Sequence, residues 1–250
     1  MTVRRPTRAL GWLITSAGLA VGAVLWEIVG RSVGAAFVAP LSETLEALTP
    51  PVWRALASSL ALFATGFALS VAIGVPFGLL LARMRLLRVA LESYIAILNA
   101  TPMAALIPFI LSLMGFDFAP KVLVVFLFAV FPILYNTVEG ARSIRPELIE
   151  VARSFRSTER ALWRDVLLPF VLPFALTGIR QAIGRALVGM VAAEFFLSAS
   201  GIGMTLQSAA QSFDTATVFA AILLVTLLGV ALMELGGALE RRYAAWRNIK

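Results

Sequence analysis

The chain has 250 residues, of which 60% are hydrophobic and 14% charged, with a mean hydropathy of +0.92; a soluble domain carries about 25% charged residues, so one water-bounded core could not hide this much apolar side chain and the solvent is lipid. The net charge of +7 (21 basic against 14 acidic residues) does not point to nucleic acid, because basic residues between hydrophobic spans orient a chain in the bilayer. With no cysteine and no histidine, there is no disulfide frame, no thiol chemistry, and none of the commonest general base, proton shuttle or metal ligand.

Crossing a bilayer as a helix takes roughly 20 mostly apolar residues. Six stretches qualify, which predicts an all-α polytopic membrane protein with six transmembrane helices. The first runs from Ala9 to Val29 behind Arg4, Arg5 and Arg8. It is read as an uncleaved anchor, because the run is long for a signal peptide and no cleavage site follows it. Glu27 and Arg31 are set for an i,i+4 pair at its outer end. Residues 30–53, with Pro40, Pro50 and Pro51, form an outward-facing loop with a short surface helix. The second span covers Leu56 to Ala82, where Gly66, Gly74 and Gly78 make a small-residue face for close helix contact. The third covers Ile95 to Leu113. The fourth, Val122 to Val138, is short and contains Pro132. The fifth, Leu167 to Leu197, is long and carries Pro169 and Pro173 at its start. The sixth covers Thr217 to Leu239.

The basic residues set the orientation. Sixteen stand before the first span, between the second and third, between the fourth and fifth, or after the sixth; the opposite loops hold only Arg31, Arg54 and Lys121. Both termini are therefore expected in the cytoplasm. The expected organisation is a cytoplasmic N-terminus over residues 1–8, one membrane domain over 9–239 and a cytoplasmic C-terminus over 240–250.

A long cytoplasmic loop, residues 139–166, separates the fourth and fifth spans. Pro146 suits the first turn of a helix. After it Leu148, Val151, Ala152 and Phe155 fall at i, i+3, i+4 and i+7, an apolar stripe flanked by Glu150, Arg153 and Ser154. Ser157 and Thr158 are placed to cap a second short helix with Ala161, Leu162 and Trp163. An apolar ridge in a charged surround fits the groove of a soluble partner. It equally fits the lipid headgroups, with the loop's arginines as anchors.

Charges inside a span need an explanation, since each costs about 2.5–3.5 kcal/mol at mid-bilayer. Arg180, Arg185 and Glu194 lie in the fifth span. Arg180 and Arg185 are five residues apart and so diverge by roughly 140° around a helix. Either Arg180 or Arg185 faces a pathway and attracts an anionic solute, or each makes an interhelical or subunit-interface pair, for example with Glu92, Glu234 or Glu194; the pairing is favoured. Asn99, Thr101, Asn136 and Thr137 either line a cavity or bond between helices. Gly201-Ile202-Gly203, with Gln207 beyond, reads as an outward loop.

The cytoplasmic loop resembles the permease family of bacterial ATP-binding-cassette importers. The family motif is Glu-Ala-Ala, three residues, Gly, nine residues, then Ile-x-Leu-Pro. Here Glu150-Val151-Ala152 is followed by Arg156 and by Val166-Leu167-Leu168-Pro169 at the same spacing. Val151 and Val166 keep only the size class, and Arg156 replaces the glycine. Where the first helix of this loop ends, a left-handed residue is typical, and arginine there costs roughly 1 kcal/mol if that backbone is kept. Further landmarks from Ala39 to Trp246 are similar to the branch for sulfonates, taurine, nitrate and thiamine precursors. They are Ser59-Leu60, Gly66-Phe67, Gly74-Val75-Pro76-Phe77-Gly78, Thr101-Pro102-Met103-Ala104-Ala105, Phe131-Pro132-Ile133-Leu134-Tyr135-Asn136-Thr137, Thr177-Gly178-Ile179-Arg180, Ala192-Ala193-Glu194 and Gly201-Ile202-Gly203.

The resemblance implies a type I importer fold in the bacterial inner membrane. Two copies of this chain would surround one pathway, with two ATPase subunits below and an extracytoplasmic solute-binding protein outside. Glu150, Val151, Ala152, Phe155, Arg156 and Ser157 would couple to the ATPase, and the loop would drag the fifth span through the Pro169–Pro173 hinge. Asn136, Arg180, Arg185 and Glu194 would line the pathway. No Gly-x-x-x-x-Gly-Lys-Ser/Thr sequence occurs, so ATP and Mg belong to the partner and this chain binds no cofactor. An intramembrane enzyme lacks its histidines, and the acids show no paired motif. A proton-coupled secondary transporter is the alternative, yet the halves show no matching inverted repeat.

Overall fold

A computed structural model of the chain describes residues 8–34, 37–197 and 200–244. Arg4, Arg5, Trp246, Arg247 and Lys250 lie outside the described residues, as do the side chains of Arg8 and Arg85. Among the described residues, five helices are long and apolar enough to cross a membrane: α1 (Arg8–Val33), α3 (Pro50–Arg83), α6 (Phe118–Arg142), α9 (Leu168–Leu197) and α11 (Thr215–Ala244). A short α2 (Leu41–Glu46) follows α1, and α10 (Ile202–Gln211) precedes α11.

The third span is not the straight helix over Ile95–Leu113 that hydropathy predicts. It consists of α4 (Arg85–Ala100), a single 3-10 turn (Met103–Leu106) and α5 (Ile107–Met114), with a 90° bend between the two halves. The cause is local. Proline disfavours the helical region for the residue before it, and Thr101, ahead of Pro102, is extended at φ −66° and ψ 133°. Counted as one broken span, this pair completes the expected six.

The core is a three-helix sandwich with α6 between α3 and α9. A side-chain carbon built on Gly66 would lie 2.6 Å from Val125 Cβ, one on Gly74 3.0 Å from Ile133 Cγ2, and one on Gly78 2.8 Å from Thr137 Cβ. Both series step by eight and then four, so α3 and α6 run in the same direction with their backbones close. The small-residue face of α3 is thus a packing face. On the α9 side of α6, a side-chain carbon built on Gly178 would lie 2.9 Å from the Pro132 carbonyl oxygen and one on Gly189 2.9 Å from Phe128 Cβ. In lipid such contacts hold helices by dispersion, since tails are as apolar as the side chains. Val125, Ala129 and Ile133 of α6 meet Ala182, Ala186 and Met190 of α9 there, all buried.

α1 stands apart and is tied back at its C-terminal end. Trp26 Nε1 donates to the Ala39 carbonyl at 3.0 Å. Glu27 accepts from the Ser42 amide at 3.0 Å and its hydroxyl at 2.9 Å. The expected i,i+4 pair is present as well, with Arg31 Nε 2.7 Å from Glu27.

Candidate functional site

The loop between α6 and α9 folds as two short helices joined by a tight turn. α7 (Pro146–Ser154) begins on Pro146 after an extended Arg145, and α8 (Glu159–Leu162) begins at Thr158, whose Oγ1 accepts the Ala161 amide at 3.2 Å. Of the two expected caps, Thr158 therefore performs the role. Ser157 instead gives its amide to the Ala152 carbonyl at 3.1 Å.

Burial sorts the apolar side chains. Ile144 and Leu162 turn inward and are buried, while Val151 is 54% and Phe155 81% exposed. Leu148 is also exposed and Ala152 half-buried. The ridge of α7 therefore faces away from its own bundle, with Glu150 exposed beside it. Trp163 lies beneath the Arg83 guanidinium, 5.7 Å from its ring centroid. A cavity of about 590 Å³ opens between this loop and the spans, lined by Arg83, Arg88, Arg142, Arg153, Glu159 and Trp163 among others.

The turn after α7 is left-handed at Arg156, with φ +53°. Its amide bonds the Arg153 carbonyl at 2.8 Å, and with the Ser157–Ala152 bond this closes the last turn of α7. Arginine thus adopts the conformation for which glycine is suited. Arg156→Gly is expected to stabilise the loop by about 0.5–1 kcal/mol, since relief of the left-handed strain outweighs the added freedom of the unfolded chain. Slower amide exchange at Ser157 with unchanged ATPase coupling is the result to look for.

From α8 the chain does not break. A π turn (Trp163–Leu167) joins α8 to α9, and Glu159–Phe196 forms one 38-residue helical run. Pro169 and Pro173 lack amides, so the carbonyls of Asp165 and Pro169 lose their i+4 partners, and the π turn lies directly ahead of Pro169.

Within the spans, the two arginines have different fates. Arg180 Nη1 lies 3.3 Å from Glu240, which also accepts the Thr177 hydroxyl at 2.8 Å. The pairing expectation holds in kind, but Glu92, Glu234 and Glu194 are not the partners: Glu92 pairs with Arg142 at 2.8 Å and Glu234 lies 4.0 Å from Arg241. Glu240 escaped notice because residues 240–250 were read as a tail, whereas α11 continues to Ala244. Arg185 is exposed and gives one hydrogen bond, 2.8 Å to Asn99 Oδ1. Asn136 donates to the Pro132 carbonyl at 2.8 Å and to Gln181 Oε1 at 3.3 Å. Gln181 and Arg185 are one turn apart on α9.

Glu194 joins neither arginine. It is 2% exposed and accepts the Gly203 amide at 2.8 Å; beside it, Ser59 of α3 accepts the Ile202 amide at 2.8 Å and donates to the Ala55 carbonyl at 3.0 Å. Gly201 has φ +105° and packs directly on the carboxylate, leaving no room for a side chain. Three landmarks that read separately in the sequence, Ser59, Glu194 and Gly201-Ile202-Gly203, form one cap at the start of α10. The outward loop expected at 201–203 is the buried start of that helix. Among the described residues, no group of three acidic side chains is placed to hold a metal ion.

Residues 74–245 match the family described as binding-protein-dependent transport system inner membrane component. The chain is 31% identical over 245 residues to the permease protein SsuC of Bacillus subtilis, named for aliphatic sulfonates, covering 95% of this chain and 89% of SsuC. It is 28% identical over 230 residues to the formylaminopyrimidine transport permease protein ThiX of Halalkalibacterium halodurans, covering 90% and 92%. Among solved structures, an inward-facing form of the MetNI methionine ABC transporter superposes with a TM-score of 0.64 at 19% identity, over 78% of this chain and 99% of that one.

Proposed function

This chain belongs to the binding-protein-dependent transport inner membrane family and is a permease of the ATP-binding-cassette importers; on that premise we propose how it works and what it carries. The solute is small and anionic or polar organic, in the range of a sulfonate, taurine, nitrate or thiamine precursor. Two copies enclose the pathway in a bacterial inner membrane, with both termini cytoplasmic. A solute-binding protein delivers from outside, and two ATPase subunits hold ATP and Mg below.

The observation that carries this reading is the outward ridge of α7. Val151 and Phe155 are apolar, exposed and unsupported by their own bundle, as a surface meant for a partner's groove is. Glu150, Ala152, Arg156 and Ser157 frame that ridge and fix its turn. Closure of the ATPase pair moves the loop, and the run from α8 into α9 carries the motion through Pro169 and Pro173. Asn136, Arg180, Arg185 and Glu194 are the pathway candidates. Of these, Arg185 is available to a solute, Asn136 gives its amide nitrogen to Pro132 and Gln181, and Arg180 and Glu194 serve as an ion pair and a cap.

A proton-coupled transporter would need a carboxylate free to change partners, and the span carboxylates are already engaged by arginines or by the α10 cap. The deciding experiment is uptake into proteoliposomes holding this chain with its co-purifying ATPase and binding protein. Uptake should require hydrolysable ATP and vanish without the ATPase. Uptake driven by a proton gradient in the absence of the ATPase would overturn the proposal.

A further inference from the structure

We infer that Arg185, presented by Asn99 of α4, is the seat for the anionic head of the transported solute within the membrane. This rests on the importer reading and names the solute class at one point of its route.

The inference comes from counting charges. Arg185 lies near the middle of α9, at a depth where an unpaired charge is costly unless it meets water or a counter-ion. Its one bond is to the neutral Asn99 amide oxygen at 2.8 Å, and no carboxylate lies within 4 Å among the described residues. A guanidinium has five N–H donors, so most of the fork is unused. The acids of the spanning helices are already engaged: Glu27 by Arg31, Glu92 and Glu139 by Arg142, Glu240 by Arg180, and Glu194 by Gly203. The loosest is Glu234, 4.0 Å from Arg241. A second copy of this chain would therefore bring Arg185 no free partner except Glu234. The counter-ion is left to come from the cargo.

The surroundings have a matching form. Arg185 and Asn99 open on a cavity of about 300 Å³ whose remaining wall includes Thr101, Phe128, Phe131 and Val188. Phe128 is fixed by packing on Gly189. A fork with planar donors suits a carboxylate, sulfonate or similar oxyanion, and the aromatic wall suits a short organic tail. Gln181, one turn from Arg185 on α9 and held through its oxygen by Asn136, turns its amide nitrogen to the oxyanion as a next donor.

The chain has no cysteine, so a single introduced thiol reports on the seat without background. Val188 is exposed and one turn from Arg185. In the assembled importer in membrane vesicles, with each rate divided by that reagent's rate on a free thiol in solution, Val188→Cys should favour anionic sulfonatoethyl methanethiosulfonate about tenfold over its cationic trimethylammonium-ethyl counterpart, as a unit charge about 6 Å away implies. Adding Arg185→Gln should bring the ratio to parity, Arg185→Lys should retain it, and free ethanesulfonate should slow the anionic reagent. A thiol inert to both reagents, or a preference unchanged by Arg185→Gln, overturns the inference. So does a parent with no preference that gains one on Glu234→Gln, which would make the partner copy the counter-ion. Loss of ATP-driven uptake in the same vesicles bears on the importer reading alone and leaves the labelling ratio standing.

Discussion

Phe155→Asp should abolish coupled ATP hydrolysis while the protein still inserts and pairs with its neighbours in the membrane. Phe155 is 81% exposed, so its removal leaves no hole in its own fold. In an ATPase groove, the ring would contribute about 1.5–3 kcal/mol by burial. A carboxylate in its place adds a desolvation penalty of several kcal/mol. Together these exceed about 4 kcal/mol, a loss of docking of about a thousandfold at 1.4 kcal/mol per decade. Solute-stimulated hydrolysis by the purified complex should fall to the background of the isolated ATPase, and the ATPase should no longer co-purify. Phe155→Leu should keep most of both. If Phe155→Asp leaves hydrolysis intact but loosens the loop from vesicles, the ridge belongs to the headgroups and not to a protein groove.

The second large effect concerns Glu194. Replacing it with alanine strips the Gly203 amide of its acceptor at a place with little water to replace it, and leaves a cavity where the buried side chain stood. The stranded amide costs about 1–3 kcal/mol and the cavity about 1 kcal/mol more, so Glu194→Ala is expected to destabilise the fold by about 2–4 kcal/mol. Glu194→Gln retains one acceptor oxygen and should lose about 1 kcal/mol. Thermal unfolding of the detergent-purified complex separates the two, with a much larger drop in midpoint for alanine. A stable Glu194→Ala variant that has lost uptake would instead mark Glu194 as a group that handles solute.

The spans were legible because lipid demands long apolar runs, and composition alone exposes those. Their ends were not, because helices such as α6 and α11 continue past the last apolar residue into Arg142 and Arg241. The break at Thr101-Pro102 was written in plain sight, but average hydropathy is blind to a missing amide. The coupling loop could be found because its stripe repeats at helical spacing and its motif spacing survives Arg156. The partners of the buried charges could not. Arg180 and Glu240 are 60 residues apart and Arg185 and Asn99 86 apart, so only the packing of three helices brings them together. The Glu194 cap spans nine residues yet was missed, because counting around an ideal helix cannot represent a chain that turns back on itself at Gly201.

The unbroken run from Glu159 to Phe196 has a mechanical meaning. At 1.5 Å per residue, its 38 residues make a shaft about 57 Å long, carrying the cytosolic elbow at one end, Arg185 partway along and the Glu194 latch near the other. On the proposed mechanism, the π turn and two prolines near the driven end would let the elbow swing, while beyond Pro173 the shaft keeps Arg185 and Glu194 in fixed register. Cation and latch would then shift in one stroke, with no relay of separate parts between them.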